Sequence, residues 1–235
     1  MAMNRPYSRY DRQAQVQVAT APDSGVAGSR VDFLKQVYAL FGGSLLVGAL
    51  GAFVGQSFAF AWEHPFLMLL LELGALFAVF KTRHNAQWAS FALFGFAFIS
   101  GLTIAPLVGV YAARSAAPVV TQALVLSGAV FGGLSLYALT TRKDFSFLQG
   151  FLFAGLIVLI VAGLSNFFFQ STVLQLAIAS VGVLLFSGFI LFDTQQIARV
   201  YPDNEVTMAA LALYLDFLNL FISLLQLLGF LNNEE

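Results

Sequence analysis

The sequence predicts an all-α protein that crosses a membrane seven times. Of its 235 residues, 59% are hydrophobic and only 10% are charged, whereas about 25% of the residues in an ordinary soluble domain carry charge. The charged residues are also grouped, so that several stretches of about 20 residues contain almost none, which is the length that a helix needs to cross the hydrocarbon core. An ordinary water-soluble domain is therefore excluded.

Composition also excludes several classes of function. Eleven Lys and Arg against twelve Asp and Glu give a net charge of -1, whereas nucleic-acid binding needs a basic surface. The chain contains no Cys, which excludes disulfides, thiolate metal sites and cysteine nucleophiles. No glycine-rich phosphate-binding pattern precedes a helix in a suitable setting, so neither a nucleotide nor a covalently bound cofactor is expected.

The first segment, 1–30, predicts a disordered cytoplasmic tail. It is rich in Arg, Gln and Ser, and it has too little apolar surface to offset the entropy of ordering. No apolar core with a following cleavage site occurs in the first 36 residues, so no cleaved signal peptide is expected. The remainder, 31–235, is predicted to form one seven-helix transmembrane domain.

The first predicted span is 37–61, within a stretch that carries no charge. Its Gly51 and Gly55 lie four residues apart, where another helix can approach closely. The second span, 65–80, begins with a proline, which suits the first turn of a helix. A single charge, Glu72, interrupts it.

The next three spans follow the same charge-free pattern. The third is 88–110, where Pro106 predicts a kink, and the fourth is 116–140. An Arg-Lys-Asp break at 142–144 separates them from the fifth, 145–169. The short connections favour sequential antiparallel packing.

The last two spans each carry an aspartate. The sixth is 173–192, with Asp193 directly after it, and the seventh is 207–231, with Asp216 in its interior. Charge bias predicts a cytoplasmic N-terminus and an outside C-terminus, since cytoplasmic segments are enriched in Lys and Arg. This orientation places only Arg114 outside. The ten cytoplasmic residues are then Arg5, Arg9, Arg12, Arg30, Lys35, Lys81, Arg83, Arg142, Lys143 and Arg199.

The two aspartates are the strongest functional candidates, because an Asp at the centre of a membrane helix costs about 2.5–3.5 kcal/mol. Asp216 lies about nine residues, or roughly 14 Å, from the cytoplasmic end of its span. Asp193 lies toward the same end of the preceding antiparallel span, so the two carboxylates can lie at comparable depth. Such a pair can share one proton, or it can offer calcium the oxygen ligands that this ion prefers. Protonation and cation binding would then compete for one site.

Each candidate also has a purely structural interpretation. Asp193 can reach headgroup water, and Asp216 can form a hydrogen bond to Asn219 or to a Ser. Glu72 lies roughly 10 Å from the outer end of its helix. It is either a second polar group on an ion path or a hydrogen-bond partner for a facing helix. Arg83 either anchors the helix end by reaching the headgroups, or faces the aspartates and repels cations from a pathway.

Four segments together resemble the transmembrane Bax-inhibitor-motif family, and the resemblance covers nearly everything after residue 30. They are ALYLDFLNLF at 212–221, FDTQQI at 192–197, FAFISGLT at 96–103 and KDFSFL at 143–148. The resemblance implies six helices around a central C-terminal helix. Bacterial members are described as pH-sensitive calcium leak channels of the inner membrane.

The resemblance also implies roles for individual residues. Asp193 and Asp216 match a paired-aspartate sensor that meets calcium ions and protons, Arg83 matches an arginine that latches to the aspartates in the closed state, and Glu72 matches a glutamate of the ion path. Other bacterial relatives modulate a membrane-bound AAA protease, and animal relatives suppress cell death. A protein that engages a membrane protease or another stress-response partner, without significant transport, is therefore the alternative function.

An enzymatic function is a third hypothesis, since intramembrane aspartyl proteases also carry aspartates on consecutive helices. Those enzymes resemble Gly-x-Gly-Asp at the second aspartate. Here the residues before Asp216 are Tyr214 and Leu215, and no Pro-Ala-Leu follows. We therefore expect no enzymatic activity.

Overall fold

The computed structural model describes residues 24–114 and 118–232, and every regular element in these ranges is a helix. Seven of the helices are long and apolar enough to cross a membrane, which confirms the predicted all-α seven-span fold. The remaining helix, α2, is a short connection. The elements are α1 Ser24–Gly55, α2 Ala59–Glu63, α3 Pro65–Thr82, α4 Ala86–Arg114, α5 Val119–Thr140, α6 Leu148–Phe169, α7 Thr172–Arg199 and α8 Val206–Leu231.

The N-terminal boundary differs from the prediction. Residues 1–23 lie outside the described residues, so most of the predicted tail is not tested, but 24–30 already form the first turns of α1. At its other end α1 stops at Gly55, before the predicted end at residue 61, and a turn leads into α2. The turn is held by Gln56, whose Nε2 donates to the carbonyl oxygen of Ala105 at 2.8 Å, and by Trp62, whose Nε1 donates to Gly55 at 3.1 Å.

The C-terminal helix α8 is the most buried of the seven spans, in agreement with the central position that the resemblance implies. It packs against α1, α4, α5 and α7. The two outer helices complete the bundle, α3 by packing on α4 and α6 by packing on α7. Leu213, Leu220 and Leu225 of α8 are fully buried, so this helix forms the core around which the others are arranged.

Helices α1 and α4 form the most extensive contact in the bundle, and glycines make it possible. A Cβ atom added at Gly51 would collide with the backbone of Phe98, and one added at Gly55 would collide with Ala105. In the other direction, a Cβ at Gly101 would collide with the carbonyl of Gly48. The close approach that the sequence predicted at Gly51 and Gly55 is thus confirmed.

The basic residues gather at one end of the bundle, which we call the basic end. There Arg199, the last residue of α7, donates to the carbonyl oxygen of Thr141 in the α5–α6 connection at 2.6 Å. The side chain of Gln195 supports the same connection, accepting from the Phe145 amide and donating to the Lys143 carbonyl, both at 2.7 Å. The end of α7 is therefore bonded to the neighbouring loop.

Candidate functional site

The structure brings Asp193 of α7 and Asp216 of α8 together inside the bundle. Their carboxyl groups are near enough to interact electrostatically, and they can form a hydrogen bond with each other when one of them carries a proton. Asp216 is only 5% exposed, whereas Asp193 is half-buried. The two acids thus form one carboxyl pair inside the bundle.

One oxygen of this pair has no hydrogen-bond partner among the residues that the structure describes. Oδ2 of Asp216 is a buried oxygen that receives no hydrogen bond, although buried polar atoms are nearly always satisfied. Within the described ranges no group of three or more His, Cys, Asp or Glu side chains is placed to hold a metal ion. A cation at Asp193 and Asp216 would therefore meet two carboxylates and would take its other ligands from carbonyl groups or water.

Glu72 of α3 belongs to a second polar group. Its half-buried carboxylate lies near the side chain of Thr103 on α4. Thr103 also lines a cavity of about 550 Å³ toward the end of the bundle opposite the basic end, where Gln175 and Gln226 contribute amide groups. Thr103 thus borders both this cavity, which we call the polar cavity, and Glu72.

A pair of hydroxyl groups lies between α4 and α8. The Tyr214 hydroxyl is 2.5 Å from Oγ of Ser100 and donates to the carbonyl oxygen of Ala97 at 3.2 Å. Both Ser100 and Tyr214 are almost completely buried. The Glu72 carboxylate is near enough to the Tyr214 hydroxyl to interact with it electrostatically, so this pair is a neighbour of the Glu72 group.

Tyr201, in the connection between α7 and α8, lies on the basic side of the aspartates. Burial raises the pKa of its phenol above the usual value of 10.0, and the negative charges of Asp193, Glu205 and Asp216 raise it further. Tyr201 is therefore close to both acids. Sequence reasoning missed it, because a single tyrosine in a hydrophilic connection carries no pattern.

Arg83 does not join the aspartates in this conformation. It directly follows the last residue of α3, its side chain is exposed, and its Nε donates to Nε2 of the neighbouring His84 at 3.3 Å. Among the described residues, the ion pairs involve neither Arg83 nor the two buried aspartates. The latch that the resemblance implied for Arg83 is thus not formed here.

Comparison with known proteins shows the family of the chain. The model of the family described as "Inhibitor of apoptosis-promoting Bax1" matches residues 30–233. The chain belongs to the Bax inhibitor-1 family. A membrane protein of Vibrio cholerae, described as uncharacterized, is 43% identical over 203 residues that cover 86% of this chain and 91% of that protein.

Eukaryotic Bax inhibitor-1 family members are also similar to most of the chain. Bax inhibitor 1 of Schizosaccharomyces pombe is 35% identical over 244 residues, which cover 97% of this chain and 90% of that protein. Protein lifeguard 4 of Mus musculus is 35% identical over 212 residues, with 87% of each chain covered. Glu72, Arg83, Asp193 and Asp216 all lie inside the matched range.

Proposed function

We propose that this multi-pass membrane protein is a pH-sensitive cation leak channel that lets calcium cross the membrane, with Asp193 and Asp216 as its sensor and inner binding group. The observation that carries the proposal is the buried, unpaired oxygen of Asp216 beside a second carboxyl group. A lone charge at this depth is costly. A shared proton or a passing cation removes that cost, so the two compete for the same oxygens.

Weak calcium binding at this site would favour calcium transport over calcium storage. Conduction requires a site that a cation can enter and also leave, whereas tightly held calcium has six to eight oxygen ligands. The described residues supply two neighbouring carboxylates and no larger acidic cluster. Calcium would therefore stay briefly at Asp193 and Asp216.

A route to the aspartates follows from the polar groups. Thr103 lines the polar cavity and is a neighbour of Glu72, and the bonded hydroxyls of Ser100 and Tyr214 lie close to Glu72 in turn. Because these hydroxyls are buried and in contact, we assign this structure to a closed state. Opening would have to separate them or displace a neighbouring helix.

The proposed setting is the cytoplasmic membrane of a bacterium, with the basic end of the bundle in the cytoplasm. Two features support it: the Lys and Arg residues cluster at one end, as cytoplasmic segments do, and a similar protein is a bacterial membrane protein. Calcium moving down its gradient would then pass Glu72 before it reaches the aspartates. Arg83 would act as a latch only in a conformation other than this one.

Calcium flux into proteoliposomes over a range of pH tests the proposal. We expect the double variant Asp193→Asn, Asp216→Asn to lose both the flux and its response to pH. Asp32→Asn is the matched control, because Asp32 is exposed and pairs only with the nearby Lys35. Wild-type flux and pH response in the double variant would exclude the mechanism, and an absence of flux in the wild type would favour the alternative role in binding a membrane protease.

A further inference from the structure

Arg30, near the start of α1, binds the end of α7 through an unusually complete set of contacts. Its Nε donates to the carbonyl oxygen of Ala198 at 2.9 Å, its Nη1 donates to that of Tyr201 at 2.6 Å, and its Nη2 donates to that of Ile197. Nη1 also pairs with the Asp203 carboxylate at 2.7 Å. One guanidinium thus joins α1 to three carbonyls and one carboxylate around the α7–α8 connection.

Two further contacts hold the guanidinium in place. It lies over the ring of Phe33, 4.6 Å from the ring centroid, which is a favourable position for a cation. Ser29 donates from its hydroxyl to Oδ2 of Asp203 at 3.3 Å. The Arg30 side chain is only 23% exposed, so it is not a residue that simply extends into the headgroup region.

The position of these carbonyls connects Arg30 to the aspartates. The last carbonyls of a helix lack partners within that helix, and a cation there is favourable. Ile197 lies one helical turn beyond Asp193, and Tyr201, whose carbonyl Arg30 also binds, has its phenol close to both aspartates. A shift of the end of α7 would therefore move Asp193 relative to Asp216.

We propose that Arg30 is a positioning residue that clamps the basic end of α7 to α1, and that this clamp must release for the cation path to open. The inference rests on the proposed transport function. Arg30 differs from Arg83, since Arg30 is bonded to the helix that carries Asp193 whereas Arg83 is exposed and donates to its neighbour His84. It also differs from a simple helix cap, because it comes from another helix, 167 residues earlier than Ile197.

A reversible crosslink tests the clamp without removing Arg30. Ser29 and Asp203 are in side-chain contact, and the chain has no other cysteine, so the variant Ser29→Cys, Asp203→Cys can form a single disulfide between α1 and the α7–α8 connection. We expect the oxidised protein to conduct at least about tenfold less calcium than the same sample after reduction, since the disulfide is all that differs and typically contributes more free energy than a tenfold ratio requires. The two single-cysteine variants should not respond to reduction.

A second set of variants separates clamping from general stability. Arg30→Gln should raise the calcium flux and slow the formation of the Ser29→Cys, Asp203→Cys disulfide. Arg30→Lys, which keeps the charge, should restore part of the closed behaviour, and the control Lys35→Gln on the exposed face of the same helix should match the wild type. Equal flux from the oxidised and reduced crosslink variants, in a preparation whose wild type conducts, would overturn the clamp alone. A wild type that conducts no calcium would overturn the transport proposal and the gating role together.

Discussion

The contact between α1 and α4 yields a sharp prediction for stability. In the variant Gly51→Ala, the added Cβ would collide with the carbonyl oxygen of Phe98, and it would also lie 3.0 Å from the carbonyl carbon and 3.2 Å from Cα of that residue. All three atoms belong to the backbone of α4. Because no side-chain rotation can relieve the collision, the two helices must move apart.

The size of the effect follows from two opposing terms. Forcing an extra methyl group into a well-packed contact costs about 1–3 kcal/mol. Replacing a helical glycine by alanine gains about 0.5–1 kcal/mol of backbone entropy. We therefore expect Gly51→Ala to lower the free energy of unfolding by up to about 2.5 kcal/mol, which lowers the Tm by up to roughly 10 °C for a chain of this size.

The same helix offers a matched control. A Cβ added at Gly42 meets nothing within 4 Å, so Gly42→Ala should leave the Tm unchanged or raise it slightly. Thermal unfolding of both variants in one detergent, followed by intrinsic fluorescence, makes the comparison. If Gly51→Ala were as stable as Gly42→Ala, α1 and α4 could not be packed as closely as the structure places them.

Three further predictions concern the polar groups. The Cβ of a Gly48→Ala variant would lie 2.6 Å from the Tyr214 hydroxyl. Gly48→Ala should therefore lower the free energy of unfolding by about 1 kcal/mol less in a Tyr214→Phe background than in the wild type. Additive effects of the two substitutions on thermal stability would refute this contact. Gln195→Ala removes the side-chain partner of the Phe145 amide and of the Lys143 carbonyl. We expect this variant to lower the free energy of unfolding by about 1–3 kcal/mol and to speed proteolysis of the α5–α6 connection. Because Glu205 contributes to the raised pKa of Tyr201, Glu205→Gln should lower that pKa without returning it to 10.0, since burial is the larger cause. Ultraviolet titration against Tyr201→Phe measures this change, and an unaltered pKa would contradict the proximity of the two residues.

The fold could be predicted because a bilayer imposes a simple requirement. A membrane helix must be long and nearly free of charge, and this pattern is visible in the sequence without any knowledge of tertiary contacts. The structure differs from the predicted tail boundary at the start of α1, where residues 24–30 are helical. Ser29 and Arg30, at the end of this segment, contact residues some 167 to 174 positions later, and no local pattern encodes such a partner.

The candidate site was predictable only where a residue is costly in lipid. The sequence identifies Asp216 and Asp193 as candidates because carboxylates are rare at membrane depth. Thr103 does not, because Ser and Thr in membrane helices usually bond a carbonyl of their own helix, as Thr103 itself does with Ile99 at 3.0 Å. Arg30 and Arg83 both lie near helix ends, and only the tertiary structure shows that one is bonded to α7 while the other is exposed.

The last two turns of α7 are the part of the bundle through which the aspartate pair can be influenced from several directions. The hydroxyl of Thr194 lies 3.2 Å from the hydroxyl of Ser135 in α5. Gln195 and Arg199 form hydrogen bonds with the α5–α6 connection. Arg30 of α1 binds the last carbonyl groups of α7. Asp193 directly precedes these residues, so loosening any of the three attachments frees the same segment. Variants at Gln195 and Arg30 should therefore change calcium flux in the same direction, and a double variant should add little to the larger single effect. Gly51→Ala disturbs a different contact, and its loss of stability should not be accompanied by that change in flux.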